Sequence, residues 1–316
     1  MLEARDHGGG LDVAISNYGG TREQWLDLST GINSSSYTIP KIPKHFWNSL
    51  PDSKAQKELL IQAGEFWNMP NNSNIMAASG VSQLIAVLPN LLPANRVRII
   101  SPTYNEHAAA FRSNGWKVGD TGNVQVIVNP NNPDGLYHSI SEEDTKNFDL
   151  NIIDESFCDI SPEKSLIHLA KKDNVIILKG LGKFWGLAGL RLGFAVAAPK
   201  LIQDIINHVG PWAVSGPAQF IGKAALSDID WIKNTRIRLE KDSINLDKLM
   251  SNHDMKPLGG TDLFRLYQVK NAHQIQTKLA KSFIWTRVFP YSENWIRLGI
   301  PGNKLDWLRL AKALEA

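Results

Sequence analysis

The stretch KGLGKFWGLAGLRLGF, Lys179–Phe194, follows the apolar run Asn174–Leu178 and is rich in glycine. Three phosphate-loop readings compete for it, and the choice among them decides the fold. A dinucleotide loop would take Gly180 and Gly182 as its first two glycines. Its third then falls at Gly186, one place too late, and about twenty residues on, where a ribose-binding carboxylate belongs, stands Lys200. A P-loop fares no better. Phe184 occupies the place of the magnesium-binding Ser or Thr, and no glycine lies five places before Gly182. The third reading is a lysine holding an aldehyde cofactor, with a phosphate-binding arginine beyond it. The string alone leaves all three open.

Bulk composition narrows the class. The chain has 316 residues, enough for about two domains with a well-buried core. It is 43% hydrophobic and 21% charged, ordinary values for a globular protein. A net charge of +3 without a long Lys/Arg run gives nucleic-acid binding little support. The one cysteine, Cys158, cannot form an internal disulfide; this fits a reducing compartment, and its place at a strand end fits a small core residue. The first residues, MLEARDHGGGLD, hold no apolar stretch of the signal-peptide kind, and no segment approaches the roughly 18 apolar residues of a membrane helix. The expectation is a cytoplasmic protein with no membrane, nucleic-acid or metal partner.

Along the chain, short β-branched runs alternate with helical stretches. Val97–Ser101, Val124–Asn129, Asn151–Glu155, Asn174–Leu178 and the run from Gly193 read as strands of a sheet covered on both faces. A helix is expected from Asp52-Ser53 through Trp67, with Leu59, Leu60, Ala63, Phe66 and Trp67 on one side. Another starts near Ser82 and is limited by Pro89 and Pro93. Pro217 to about His253 reads as one long helix. Thr261–Val269 and Trp295–Ile300 read as strands of a second sheet, and Lys304–Ala316 as a closing helix anchored by Leu305, Leu308 and Leu314. The expected division is a large α/β domain over 35–210 and a smaller α+β domain from 1–34 with 211–316.

The strand ends carry a consistent set. NPNNPDG (Asn129–Gly135) follows one strand, Asp154 ends the next, Lys183 lies just past the third, and Arg191 stands eight residues beyond Lys183. In open α/β sheets such positions converge on one cleft. Singly, each string reads as a turn, a helix cap or a solvated face. Together and in this order they resemble the fold-type I pyridoxal-phosphate enzymes of the aminotransferase group. Lys179, the rival lysine, has the wrong spacing to Arg191. The resemblance implies roles. Lys183 would link to the cofactor aldehyde until a substrate amine displaces it. Asp154 would pair with the pyridine nitrogen and keep the ring an electron sink. Asn132 would donate to the phenolic oxygen, and Arg191 would grip the phosphate. ASGVSQL (Ala78–Leu84) matches the family's other phosphate loop, with Gly80, Val81 and Ser82 against the anion. Tyr104 matches the aromatic that stacks on the ring, and Arg297 matches the arginine that clamps the substrate carboxylate.

Two N-terminal strings, DHGGGLDVAISNYGG (Asp6–Gly20) and WLDLSTGIN (Trp25–Asn33), resemble the opening of the threonine-phosphate decarboxylases of the cobalamin pathway. The likeness runs from about His7 to Gly302. A lipase oxyanion loop also begins His-Gly-Gly, but no G-x-S-x-G elbow exists in this chain; a plain glycine-rich turn is the simpler reading of the four residues. The resemblance makes them a segment over the substrate, with His7 near its phosphate and Gly31, Ile32 and Asn33 approaching its carboxylate through their backbone. His107, Arg265 and Arg287 are further candidates for that phosphate, although each residue type is more often structural. The implied reaction converts O-phospho-L-threonine to 1-aminopropan-2-yl phosphate and carbon dioxide, in a homodimer. Histidinol-phosphate aminotransferase is the alternative activity, and a non-catalytic binding protein of the same fold the third reading.

Three departures from the family pattern remove hydrogen-bond donors near the cofactor. Gly180 stands where a serine is usual, Phe157 where a tyrosine is usual, and Leu50 in place of a tyrosine that reaches the neighbouring subunit's phosphate. Each would cost roughly 0.5–3 kcal/mol if nothing replaces it, so weaker cofactor retention is expected.

Overall fold

The computed structural model describes residues 6–315. They fall into two compact units: a larger one of Tyr37–Asn132 and Tyr137–Ile232, and a smaller one of the segments up to Ser36, Pro133–Leu136 and from Lys233 onward.

The larger unit is built on seven strands: β1 (Asn74–Ala78), β2 (Arg96–Ile99), β3 (Lys117–Gly119), β4 (Val124–Val128), β5 (Leu150–Asp154), β6 (Val175–Gly180) and β7 (Gly193–Ala197). Their spatial order is β1-β7-β6-β5-β4-β2-β3. All pairings are parallel except those of β7, which runs against both β1 and β6. The expected mostly parallel α/β sheet is thus borne out. Every residue of β5, β6 and β7 is buried, which explains their unbroken apolar character. Period two then sorts the side chains. Leu150, Ile152, Ile176 and Leu178 join a core with Leu84, Phe111 and Ile205, from helices Val81–Val87, Asn105–Ser113 and Pro199–Val209. Val175, Ile177 and Lys179 alternate with these and face the other side of the sheet.

The smaller unit holds an antiparallel sheet of β8 (Lys256–Thr261), β9 (Phe264–Gln268), β10 (Arg287–Phe289) and β11 (Ser292–Gly299), in the order β10-β11-β9-β8. Leu26–Asp27 pairs in parallel with Ile284–Trp285 beside it. Among the described residues no helix is long and apolar enough to cross a membrane.

Four expectations change. The long helix is two, Gly216–Ser227 and Ile229–Ser251, because the Asp228 carboxylate accepts the Trp231 N–H (3.0 Å) and starts a new helix there. Residues 211–232 belong with the larger unit, where Gly216–Ser227 packs on the helix Ser53–Phe66; Pro133–Leu136 belongs with the smaller, where the Gly260 N–H donates to the Asp134 carbonyl at 2.7 Å. The strand expected over Thr261–Val269 is the end of β8, a turn at Asp262-Leu263, and β9. On the last helix, Lys304–Glu315, Leu305 and Leu308 are 76% and 57% exposed, and Leu310, Ala313 and Leu314 make the buried stripe. Ala316 lies outside the described residues.

Candidate active site

Parallel strands bring their carboxyl ends to one edge of the sheet, and there the chain places a cleft of about 180 Å³. Gly80, Val81, Ser82, Tyr104, Asn132, Asp154, Lys183 and Arg191 all line it, along with Ser156, Phe157 and Gly180. Asn132 comes from the loop after β4, Asp154 from the last position of β5, and Lys183 and Arg191 from the loop between β6 and β7.

The anion end is made by Arg191 and the turn Gly80–Ser82. Arg191 Nη2 donates to Ser82 Oγ and Nη1 to the Ala188 carbonyl, both at 3.3 Å. Gly80 has φ +79°, and a Cβ there would fall 2.7 Å from Arg191 Nη2, so only glycine lets the guanidinium lie across this turn. Backbone N–H groups and a fork of guanidinium donors at one end of a cleft suit a phosphate.

Asp154 also lines the cleft and is buried. One carboxylate oxygen accepts from Ser156 N (2.9 Å) and Ser156 Oγ (2.5 Å), and the other lies 2.9 Å from His107 Nε2. Burial alone pushes the carboxyl pKa up; the His107 and Ser156 hydrogen bonds and the His107 charge outweigh it, and the net direction is below the usual carboxylate range. An ionised, oriented carboxylate of this kind fits a cationic ring nitrogen. His107 is therefore withdrawn from the substrate-phosphate candidates: its buried ring holds Asp154, and its edge meets the Tyr104 ring at 6.1 Å between centroids.

Lys183 Nζ lies 5.2 Å from the centre of the Phe157 ring, a cation–π contact at the place where a tyrosine hydroxyl was expected. The Gly180 departure also has a packing partner. A Cβ at Gly180 would come within 3.0 Å of Val81 Cγ2, so the Val81 methyl fills the space that a serine side chain needs. Leu50 is exposed. Lys179 is buried and ion-paired to Glu155 at 2.5 Å.

The smaller unit gathers the expected substrate residues. Arg297 on β11 is buried; its Nη2 donates to the Ser29 carbonyl at 2.9 Å, and its guanidinium sits 4.9 Å from the centre of the Phe264 ring. Burial, and then the charge of Arg287 directly opposite on β10, push its pKa down to about 9. A buried cation facing a second cation is receptive to an added anion. Arg287 donates to both oxygens of Asp6, each at 2.6 Å. His7, next to Asp6, is exposed. Gly8 runs so close to the Ser29 carbonyl that a Cβ would sit 2.4 Å from its oxygen, and Gly9 N donates to Ser29 Oγ at 2.7 Å. That contact is a physical reason for glycine after His7. Gly31 is buried and Ile32 half-buried, and the Asn33 side chain accepts from Arg238 Nη2 at 2.6 Å. Arg265 donates Nε and Nη2 to Asp247, at 3.0 and 2.7 Å, which marks it as structural.

The cleft fits pyridoxal phosphate: its lining supplies a guanidinium with backbone amides, an ionised carboxylate, and a primary amine beside an aromatic ring. Comparison with known proteins agrees. Residues 43–314 match the family described as aminotransferase class I and II. The chain is 35% identical over 325 residues to a threonine-phosphate decarboxylase of a Sinorhizobium species, covering 98% of this chain and 97% of that one. It is 34% identical over 334 residues to the threonine-phosphate decarboxylase of Pseudomonas aeruginosa, covering 99% and 97%. The fold is similar to the crystal structure of histidinol-phosphate aminotransferase from Sinorhizobium meliloti in complex with pyridoxal-5'-phosphate. There the TM-score is 0.80 at 17% identity, over 99% of this chain and 95% of that one.

Proposed function

The chain belongs to the class I and II aminotransferase family, and from that premise we propose that it is a pyridoxal-phosphate-dependent decarboxylase of O-phospho-L-threonine, serving cobalamin biosynthesis. One observation carries decarboxylation over transamination: the likeness to two threonine-phosphate decarboxylases extends over nearly the whole chain at more than a third identity.

When bound, the cofactor supplies a ring that accepts the electron pair left at the substrate Cα. Arg191, Ser82 and the backbone of Gly80 and Val81 hold its phosphate, and Asp154 holds its ring nitrogen protonated. Asn132 donates to its phenolic oxygen, and Tyr104 covers one face. Lys183 would hold the cofactor through its Nζ. Arg297 takes the substrate carboxylate, with Gly31, Ile32 and Asn33 beside it in the smaller unit, and His7 takes the substrate phosphate. The Cα–carboxylate bond breaks, carbon dioxide leaves, and Lys183 Nζ delivers the proton that replaces it at Cα.

The protein is further proposed to be a homodimer, a reading supported by the exposed apolar residues Ile39, Trp47 and Leu50 on one segment of the larger unit. The test of the function is turnover of O-phospho-L-threonine by protein supplied with pyridoxal phosphate, compared with Lys183→Ala. The variant is expected to lose both turnover and the visible absorbance of the lysine-held cofactor. Retention of both would remove Lys183 from its role. Absorbance lost by the variant but no turnover by the parent would leave an aminotransferase or a binding protein.

A further inference from the structure

We propose that Lys179, Glu155 and Asp159 form a positioning device for the cofactor site, joining the ends of three adjacent strands from the sheet face opposite the cleft.

Period two supports that placement. Lys179 shares a face with Val175 and Ile177, whereas Leu178 belongs to the opposite core and Gly180 lines the cleft. Lys179 Nζ contacts Glu155 Oε2 at 2.5 Å, Ser165 Oγ at 3.3 Å and Asp159 Oδ1 at 3.9 Å. Glu155 also accepts from Ser165 Oγ (2.5 Å), Leu166 N (2.6 Å) and Asn129 Nδ2 (3.2 Å). Asp159 accepts the indole N–H groups of Trp67 (2.9 Å) and Trp185 (3.3 Å). All three ionisable groups are at most 3% exposed.

The connections matter because of what stands next to them. Asn129 begins the loop that carries Asn132. Glu155 follows Asp154 directly. Lys179 lies four residues before Lys183, and Trp185 two after it. The network thus fixes, from behind, three of the segments that present a side chain to the cofactor, those of Asn132, Asp154 and Lys183. Burial pushes the Lys179 pKa down, but Glu155 and Asp159 more than reverse this, to about 12, so the cation persists at all working pH values. A buried ion pair is weak support for stability, since apolar or neutral replacements often match it; its better-attested use is to specify one arrangement.

The inference rests on the placing of the cofactor against Asp154 and Lys183. The experiment compares the parent with Lys179→Met and Lys179→Met/Glu155→Gln. It measures the apoprotein Tm, the Kd for pyridoxal phosphate by absorbance titration, and kcat and KM for O-phospho-L-threonine. The single variant leaves two buried carboxylates, Glu155 and Asp159, without their cation and loses stability. The double variant removes one charge of each sign, so its Tm is expected to return to within a few degrees of the parent. Its Kd is expected to stay about 10- to 100-fold weaker and its kcat to fall by a similar factor with KM unchanged. Tm, Kd and kcat recovering together would overturn the proposal, since a purely structural pair predicts that. If the double variant does not fold, Ser165→Ala decides. It deletes the hydroxyl that donates to Glu155 and accepts from Lys179 and the Ile167 N–H, and is expected to lower the Tm by only a few degrees and weaken Kd about 2- to 10-fold; an unchanged Kd would overturn the proposal. Should Asp154→Ala leave the parent Kd intact, the site assignment fails instead, and the two failures are told apart.

Discussion

At Asp154 two effects oppose each other, and the hydrogen bonds win. Burial raises the carboxyl pKa, while His107 and Ser156 lower it further than burial lifts it. A depressed carboxylate stabilises the fold above its unfolded pKa, and that contribution is lost as pH falls through the lower folded value. Replacing His107 by Phe removes the largest lowering partner and raises the folded value. His107→Phe is therefore expected to unfold at a higher pH than the parent during acid titration followed by circular dichroism. An equal midpoint would show that His107 does not hold Asp154 ionised. Lys183, Asp154, Asn132 and Arg191 were legible in the sequence because each is fixed by a few residues' spacing to a strand end. His107 on Asp154 and Arg287 on Asp6 were not, because the partners are 47 and 281 residues apart and only the fold brings them together. Arg238 on the Asn33 side chain was hidden for the same reason.

At the scale of elements, periodicity located segments well and oriented them less well. The last helix offers two apolar stripes, one through Leu305 and Leu308 and one through Leu310, Ala313 and Leu314, and a 3.6-residue period fits both. Packing on the smaller unit selects the second, leaving Leu305 largely in solvent. Leu310→Ala should cost about 2–5 kcal/mol in denaturant unfolding, and Leu305→Ala no more than about 0.5 kcal/mol; the reverse ranking would contradict this orientation. The break at Asp228 did carry a signal, since Ser227-Asp228 is a good helix start, but continuous helical character on both sides masked it. The strands were easier. The five β-branched runs expected in the larger sheet are bounded by turns, and their ends fall within about two residues of the expected ones, whereas β1, β3 and β10 lie outside any run that was expected.

For the whole molecule, the sheet order with its single antiparallel strand follows from tertiary packing that no local string encodes, whereas the cofactor class follows from motif order alone. The three departures from the family pattern remain significant at this scale. Phe157 gives Lys183 a ring face and Val81 fills the space beside Gly180, but neither restores a hydrogen-bond donor. The purified protein is expected to lose pyridoxal phosphate on prolonged dialysis and to regain it on addition; full retention would mean that other donors replace those missing. The central claim is decarboxylation of a phosphorylated amino acid. Its most direct measurement supplies the protein with pyridoxal phosphate and O-phospho-L-threonine, without any keto acid, and quantifies the products. The account predicts carbon dioxide and 1-aminopropan-2-yl phosphate in equal amounts. No release under these conditions, with histidinol phosphate consumed once 2-oxoglutarate is added, would contradict it and make the protein an aminotransferase.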